Sequence, residues 1–249
     1  MSAPFGRRDA TVAKRSSVGS YVVLTIADPD AHAEPGQFYM LAAAERWGAG
    51  DDERPFLARA ISIMRRLDGG EVEFLLEDVG PGTRRLCELE AGDPLTLLGP
   101  LGNGFAPCEQ DTLLVGGGIG IAPLLGVQEA WGGVALLGFR YSAHARAAEL
   151  FHEPLIATDD GSLGHHGFVT ELLDVELERE RRSIYACGPP GLLHAVGERA
   201  RRHGVCASLA LEAPMACGFG ACYGCVVATV DGYKRVCLDG PVFEAAALA

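Results

Sequence analysis

The sequence predicts three parts in succession: an antiparallel β-barrel over residues 1–106, a parallel-sheet α/β domain over 107–210 and a small cysteine-rich module over 211–249. Three observations predict it. The first hundred residues alternate short apolar runs with turn signals. From Asp111 onward apolar runs alternate with helical segments, beginning at a glycine-rich turn. Four cysteines then crowd the end of the chain, Cys217, Cys222, Cys225 and Cys237, in the spacing C-x4-C-x2-C-x11-C.

In the barrel, residues 20–27 and 37–42 are the first expected strands, joined through the Pro35-Gly36 turn. Residues 61–65, 71–76 and 94–98 continue the series, separated by Asp68-Gly69-Gly70 and Ala91-Gly92-Asp93. Many short strands with regular turn signals favour an antiparallel barrel, and residues 82–88 have the helical character of a cap. Residues 43–55, with Gly48-Ala49-Gly50-Asp51-Asp52, look like a polar surface excursion. Composition shifts near Pro107. Residues 112–115, 134–139, 154–157 and 183–186 are then expected as buried strands, with helices over 122–129, 170–179 and 192–203. That alternation is the signature of a parallel sheet wrapped by helices.

A length of 249 residues accommodates two domains and a third small module. The hydrophobic fraction of 48% supports an ordinary core, and a net charge of −12 argues against nucleic acid or an anionic membrane surface as partner. Arg7, Arg8, Lys14 and Arg15 are not followed by an apolar stretch, so they do not read as a secretory signal. No apolar run approaches the length of a membrane span. The expected address is the cytoplasm.

The spacing of the first three C-terminal cysteines follows the rhythm of a loop around a plant-type [2Fe–2S] cluster, the fourth thiolate returning from a hairpin. Glycines at 218, 220 and 224 let the backbone turn tightly, so that its N–H groups can face sulfur. Two alternatives stand beside this reading. A structural zinc usually takes two separated C-x2-C knuckles. Disulfides need an oxidising compartment. Of the remaining cysteines, 87, 108 and 206 read as small buried hydrophobes.

Upstream, Val115-Gly116-Gly117-Gly118-Ile119-Gly120 runs from a strand toward a helix that opens at Ala122-Pro123. Glycine there lets a nucleotide phosphate approach the backbone at a helix N-terminus, and Pro123 suits the first helical turn. The plain alternative is a tight strand-to-helix turn. Arg59 and Ser62 could hold a diphosphate, or be a surface arginine and an ordinary strand serine. Gly80-Pro81-Gly82-Thr83 could add N–H donors to the same anion, or simply start a helix with a threonine cap. Cys187-Gly188-Pro189 ends a strand where ligands gather in open α/β sheets, so its thiol could line a nicotinamide pocket or be merely buried.

Together these motifs resemble the flavin-dependent ferredoxin-reductase superfamily. Within it they are most similar to the electron-transfer subunits of the two-subunit, NAD-dependent dihydroorotate dehydrogenases of bacteria. The matches run in order from Pro35-Gly36-Gln37-Phe38 through Arg59-x-x-Ser62, Gly80-x-Gly82-Thr83, Gly99–Phe105 and the glycine turn. They continue through Thr158-Asp159-Asp160-Gly161-Ser162, Cys187-Gly188-Pro189, the cysteine loop and Cys237-Leu238-Asp239-Gly240-Pro241-Val242-Phe243.

The resemblance implies FAD on the barrel, NAD on the parallel sheet and a [2Fe–2S] cluster at the C-terminus. By position, Arg59 and Ser62 would bind the flavin, and Gly82 and Thr83 its diphosphate. Gly117, Gly118 and Gly120 would contact the nicotinamide dinucleotide, with Cys187 near the hydride-transfer site. Cys217, Cys222, Cys225 and Cys237 would ligate iron. The implied partner is an FMN-containing dihydroorotate dehydrogenase catalytic subunit, in a heterotetramer with two of each chain. Electrons from dihydroorotate would pass through the cluster and FAD to NAD+, in pyrimidine biosynthesis.

The chain departs from the family pattern at Ala60, where proline usually follows the flavin arginine, and at Glu77 and Asp78, acidic beside an expected anion site. Arg140 and Arg146 could favour a 2′-phosphate, whereas the resemblance points to NAD. Two other readings remain. One is a related FAD/[2Fe–2S] subunit of sulfhydrogenase or ferredoxin:NADP type. The other is a non-enzymatic, zinc-stabilised nucleotide-binding regulatory module.

Overall fold

The computed structural model describes residues 6–29, 32–48, 54–108 and 111–248. Residues 49–53 of the expected polar excursion lie outside them. The N-terminal strands are β1 (Arg7–Val18), β2 (Tyr21–Ala27), β3 (Phe38–Ala43), β4 (Arg59–Leu67), β5 (Glu71–Leu76) and, after helix α1 (Pro81–Cys87), β6 (Pro94–Leu101). They close an antiparallel barrel in the order β1-β2-β5-β4-β3-β6, with β1 pairing both β2 and β6. Alternate apolar residues point inward as the strand period requires, so that Leu24, Ile26, Tyr39, Leu41, Phe74 and Leu97 fill the interior. At one end Asp28 receives Arg8 Nε at 3.0 Å and the Tyr39 hydroxyl at 2.8 Å, so its buried charge is paired and hydrogen-bonded.

Strand β1 was not expected from the sequence. Only Val12 of its twelve residues is buried, so the strand lacks the apolar alternation by which a strand is read. Most of its side chains face outward, although the strand is paired on both sides.

The second part contains β7 (Thr112–Gly117), α2 (Ala122–Trp131), β8 (Val134–Phe139), α3 (Ser142–Ala145), β9 (Leu155–Thr158), β10 (His165–His166), α4 (Val169–Arg179), β11 (Ser183–Cys187), α5 (Pro190–His203) and β12 (Ala207–Ala210). The C-terminal part adds β13 (Val226–Thr229), β14 (Gly232–Arg235), α6 (Val236–Asp239) and β15 (Val242–Glu244). The sheet order is β10-β9-β8-β7-β11-β12-β15, parallel except for β15, which runs antiparallel to β12 at the edge. Its strands read as nearly continuous apolar runs because helices cover both faces. Among the described residues no helix is long and apolar enough to cross a membrane.

Barrel and sheet share a core in which Tyr21, Met64 and Leu75 meet Leu114, Leu124 and Leu137. Each such side chain withdrawn from water contributes about 1.5–3 kcal/mol. Gly126 of α2 lies so close to β4 that a Cβ there would stand 2.9 Å from the Met64 carbonyl. Arg65 ties the joint, donating to Glu73 at 2.7 Å and to Glu129 of α2 at 2.7 Å.

Two motifs far apart in sequence meet beside the same contact, where Pro35 lies against Gly126. Phe105 N–H donates to the Pro35 carbonyl at 2.9 Å, and Gln37 Nε2 to the Gly102 carbonyl at 2.8 Å. The chain after α6 passes the same point. Asn103 N–H donates to the Gly240 carbonyl at 2.6 Å, and Leu211 N–H to the Pro241 carbonyl at 2.9 Å.

Candidate functional site

A cavity of about 500 Å³ lies where barrel, parallel sheet and the segment after β12 meet. Its size and its mainly apolar walls with a few polar groups suit an organic cofactor (about 300–1,000 Å³). The barrel contributes Phe38, Ser62, Leu75 and Glu77, and the α1 turn contributes Thr83. Ile119, Gly120 and Pro123 come from the glycine-rich turn. Residues 211–215 close the remaining side.

Of the sequence-predicted residues, Ser62, Thr83 and Gly120 therefore share one cavity, whereas Arg59 is absent from its lining. Residues three apart on a strand face opposite ways. The Arg59 side chain instead lies across Gly82, where a Cβ would stand 2.2 Å from its Nε and 2.5 Å from its Cζ. Arg59 and Gly82 are thus in direct contact beside the cavity, and a side chain at 82 would push the guanidinium aside. The α1 turn is not capped by threonine. Gly80 is its N-cap and Pro81 opens the helix, while Thr83 Oγ1 accepts the Val79 N–H at 3.0 Å and donates to the Gly80 carbonyl at 3.2 Å.

The two acidic departures have partners that draw their charge aside. Asp78 accepts Arg84 Nε at 3.1 Å, and Glu77 lies 3.0 Å from His144 Nε2 of α3. Beside that contact the Tyr21 hydroxyl and His144 Nδ1 are buried without a hydrogen-bond partner among the described residues. Burial, then the charge of Glu77, pushes the Tyr21 hydroxyl far above the ordinary phenol range.

The glycine turn divides by role. Gly120 packs on the end of β11, where a Cβ would stand 2.6 Å from Gly188 Cα and 2.7 Å from the Cys187 carbonyl. Gly117 lies against Leu192 and Pro189 in the same way. Gly118 has a φ of +56° and open space around its Cβ direction, so its backbone is both left-handed and approachable. The sheet register sets Cys187 between Gly116 of β7 and Ala210 of β12. Cys187 is 2% exposed. It does not itself line the cavity, although Gly120 and Pro190 beside it do. Burial, reinforced by the Glu212 charge, pushes its thiol far above the ordinary range, which makes it a neutral packing group rather than a nucleophile.

Glu212 and the rest of residues 211–215 were missed in the sequence, where they carry no motif. Desolvation raises the Glu212 carboxyl above its usual value, so this wall offers the cavity a carboxyl that holds its proton more firmly than usual.

In the C-terminal part the four predicted cysteines form two pairs, and among the described residues no three metal-ligating side chains gather on one point. Cys217 meets Cys222 at the outside, and Cys225 meets Cys237 inside. The inner pair is 2% exposed at each residue and packs with Phe38, Met40 and Phe243 against the barrel. Backbone N–H groups face the sulfurs. Gly220 donates to Cys237 Sγ at 3.1 Å, Cys237 to Cys225 Sγ at 3.4 Å and Gly224 to Cys222 Sγ at 3.4 Å. Burial opposes ionisation of Cys217, but the N–H groups of Phe219, Cys222 and Ala221 outweigh it and pull the thiol down to about 6. Burial pushes Cys237 up to about 12. Two thiol pairs ringed by N–H donors fit a two-iron cluster, whose sulfurs take such bonds, better than one tetrahedral ion.

Residues 212–249 match the iron–sulfur cluster binding domain of dihydroorotate dehydrogenase B. The chain is 40% identical over 229 residues to the dihydroorotate dehydrogenase B (NAD(+)) electron transfer subunit of Geobacillus kaustophilus, covering 85% of each chain. It is 37% identical over 241 residues to the same subunit of Listeria monocytogenes, covering 90% of this chain and 91% of that one. Among solved structures, a chain of the NADH-dependent reduced ferredoxin–NADP oxidoreductase superposes with a TM-score of 0.83 at 27% identity, over 96% of this chain and 89% of that one. A closed barrel, a parallel dinucleotide sheet and a four-cysteine loop in one chain, at this level of identity, place the protein in the family of dihydroorotate dehydrogenase B electron-transfer subunits.

Proposed function

We propose that this chain carries electrons from dihydroorotate oxidation, performed at FMN on a separate catalytic subunit, to NAD+. The observation that carries the reading is the meeting of the barrel–sheet cavity and the four-thiol loop at one joint, around Phe38. FAD exchanges electrons singly or in pairs and so connects a one-electron cluster to a two-electron nicotinamide.

In this reading residues 1–106 hold FAD, 107–210 hold NAD and 211–249 hold the cluster. Ser62 and Thr83 face the flavin in the cavity, and Arg59, packed on Gly82, places its charge at the diphosphate. Gly118 lets the dinucleotide approach the backbone. Gly117 and Gly120 seat the turn on the end of β11, next to Cys187, whose neutral thiol packs near the nicotinamide. Cys217, Cys222, Cys225 and Cys237 supply the iron ligands. Around them Phe219, Tyr223, Val226, Tyr233 and Leu238 are exposed, an apolar rim suited to a protein partner. The partner is the FMN-bearing catalytic subunit, two of each chain forming the working assembly in the cytoplasm.

Co-purification with the native partner, followed by a dihydroorotate-to-NAD+ assay, tests the proposal. The expected result is NADH formation with two irons per chain and a flavin spectrum. No turnover by a complex loaded with FAD, FMN and cluster would sink it. A second reading, a subunit of the NADH-dependent ferredoxin–NADP type, is favoured by the likeness that spans 96% of the chain. Single-turnover flavin reduction by NADH and by NADPH separates the two. A colourless, zinc-containing protein without acid-labile sulfide would instead favour a regulatory nucleotide-binding module.

A further inference from the structure

Strand β14 delivers Arg235 to the back of the cysteine loop. Its side chain is 24% exposed. Nη1 donates to the Gly220 carbonyl at 3.0 Å, and the guanidinium carbon lies 4.8 Å from the centroid of the Tyr223 ring. Asp239 Oδ2 accepts the Arg235 backbone N–H at 2.7 Å and lies 3.5 Å from Nε. Tyr223 is held at a φ of +56°, a conformation disfavoured for a residue with a side chain, and the stacked guanidinium braces it.

The peptide geometry gives this contact a direction. The Gly220 carbonyl and the Ala221 N–H belong to one peptide unit, and that N–H is directed toward Cys217. Gly220's own N–H donates to Cys237 Sγ. One guanidinium therefore grips the stretch of backbone whose donors face a sulfur of the outer pair and a sulfur of the inner pair. A cation on the carbonyl polarises the peptide and strengthens its N–H bond on the far side. Positive charge and N–H···S bonds both favour the more negative, reduced state of an iron–sulfur centre.

We infer that Arg235 is a positioning residue that holds residues 220–222 against the cluster sulfurs and raises the cluster's reduction potential, with Asp239 partly cancelling its charge. The inference rests on the four cysteines holding a [2Fe–2S] cluster. The alternative is a hairpin clamp of no electronic consequence, since an i,i+4 arginine–aspartate pair is common on surfaces.

The test is an EPR-monitored redox titration of the flavin-loaded protein, with iron and acid-labile sulfide counted in each variant. Arg235→Gln keeps a donor but no charge, and the expected result is two irons per chain with a more negative potential. Arg235→Lys, with charge but no fork to stack and bond at once, should fall between that variant and wild type. Asp239→Asn should move the potential the opposite way, to more positive values. If Arg235→Gln loses its cluster, a more negative potential in an Arg235→Lys variant with two irons per chain still carries the inference. Unchanged potentials in Arg235→Gln and Asp239→Asn, shifts of the same sign, or loss of iron from all three variants would overturn it. Wild-type protein without iron or sulfide would instead sink the cluster reading itself.

Discussion

Cys187 and Cys217 are both cysteines beside glycine turns, yet the fold drives them to opposite chemistries. Cys187 ends a central strand, is 2% exposed and faces the charge of Glu212, so its thiol keeps its proton far beyond the ordinary range. Cys217 lies in a loop whose glycines, Gly218 at φ +79° and Gly220 at φ +86°, turn three backbone N–H groups onto one sulfur. What separates them is the direction of the backbone donors. A strand spends its N–H groups on the neighbouring strand, whereas a loop of left-handed residues leaves them for a ligand.

The largest expected effect breaks this contrast outright. Cys225→Ser or Cys237→Ser should abolish bound iron and lower Tm, because the inner pair is also packed against the barrel. Cys187→Ala should retain two irons per chain, as metal analysis and visible absorption would register. Retention of the cluster in either serine variant would undo the assignment.

A smaller effect compares two glycines of one turn. Gly120→Ala sets a Cβ 2.6 Å from backbone that cannot yield, at a cost of about 1–3 kcal/mol. Gly118→Ala meets nothing within 4 Å and carries only the left-handed penalty, about 1–2 kcal/mol. Thermal unfolding should rank Gly120→Ala as the more destabilised. NADH titration should show the affinity loss at Gly118→Ala instead.

Thiol labelling sharpens the comparison further. In protein stripped of iron, Cys217 should alkylate readily at pH 7 and lose that reactivity as pH falls through about 6, since its lowered value makes it a thiolate only above that point. Cys187 should stay unlabelled throughout in the folded protein, as peptide mass mapping would record. The smallest effect is at the joint. Glu129→Gln removes the exposed half of the Arg65 bridge, and urea melts should fall by about 0.2–1 kcal/mol.

The two chemistries were legible to different depths in the sequence. The cysteine loop could be read because iron ligation constrains spacing along the chain, and the glycine turn because close backbone approach constrains residue type. Glu212 and its neighbours were illegible. They reach the cavity only because β12 ends there and Leu211 is tied to Pro241, contacts that leave no local pattern. Arg235 was hidden for the same reason, being fifteen residues from the carbonyl it grips. Strand β1 escaped because a strand with a single buried residue has no period to detect. Conversely, Glu77 and Asp78 looked hostile to an anion only while His144 and Arg84 were out of view.

The pairing of β15 with β12 has a topological consequence. Those strands are neighbours in one sheet, so the whole cysteine module is a hairpin loop pinned at both stems by the bond between Leu211 and Pro241. A domain on a single tether samples a volume set by its linker, whereas a loop closed at both stems has a fixed mount. The distance from thiol loop to cavity is thus built into the architecture instead of being found by diffusion.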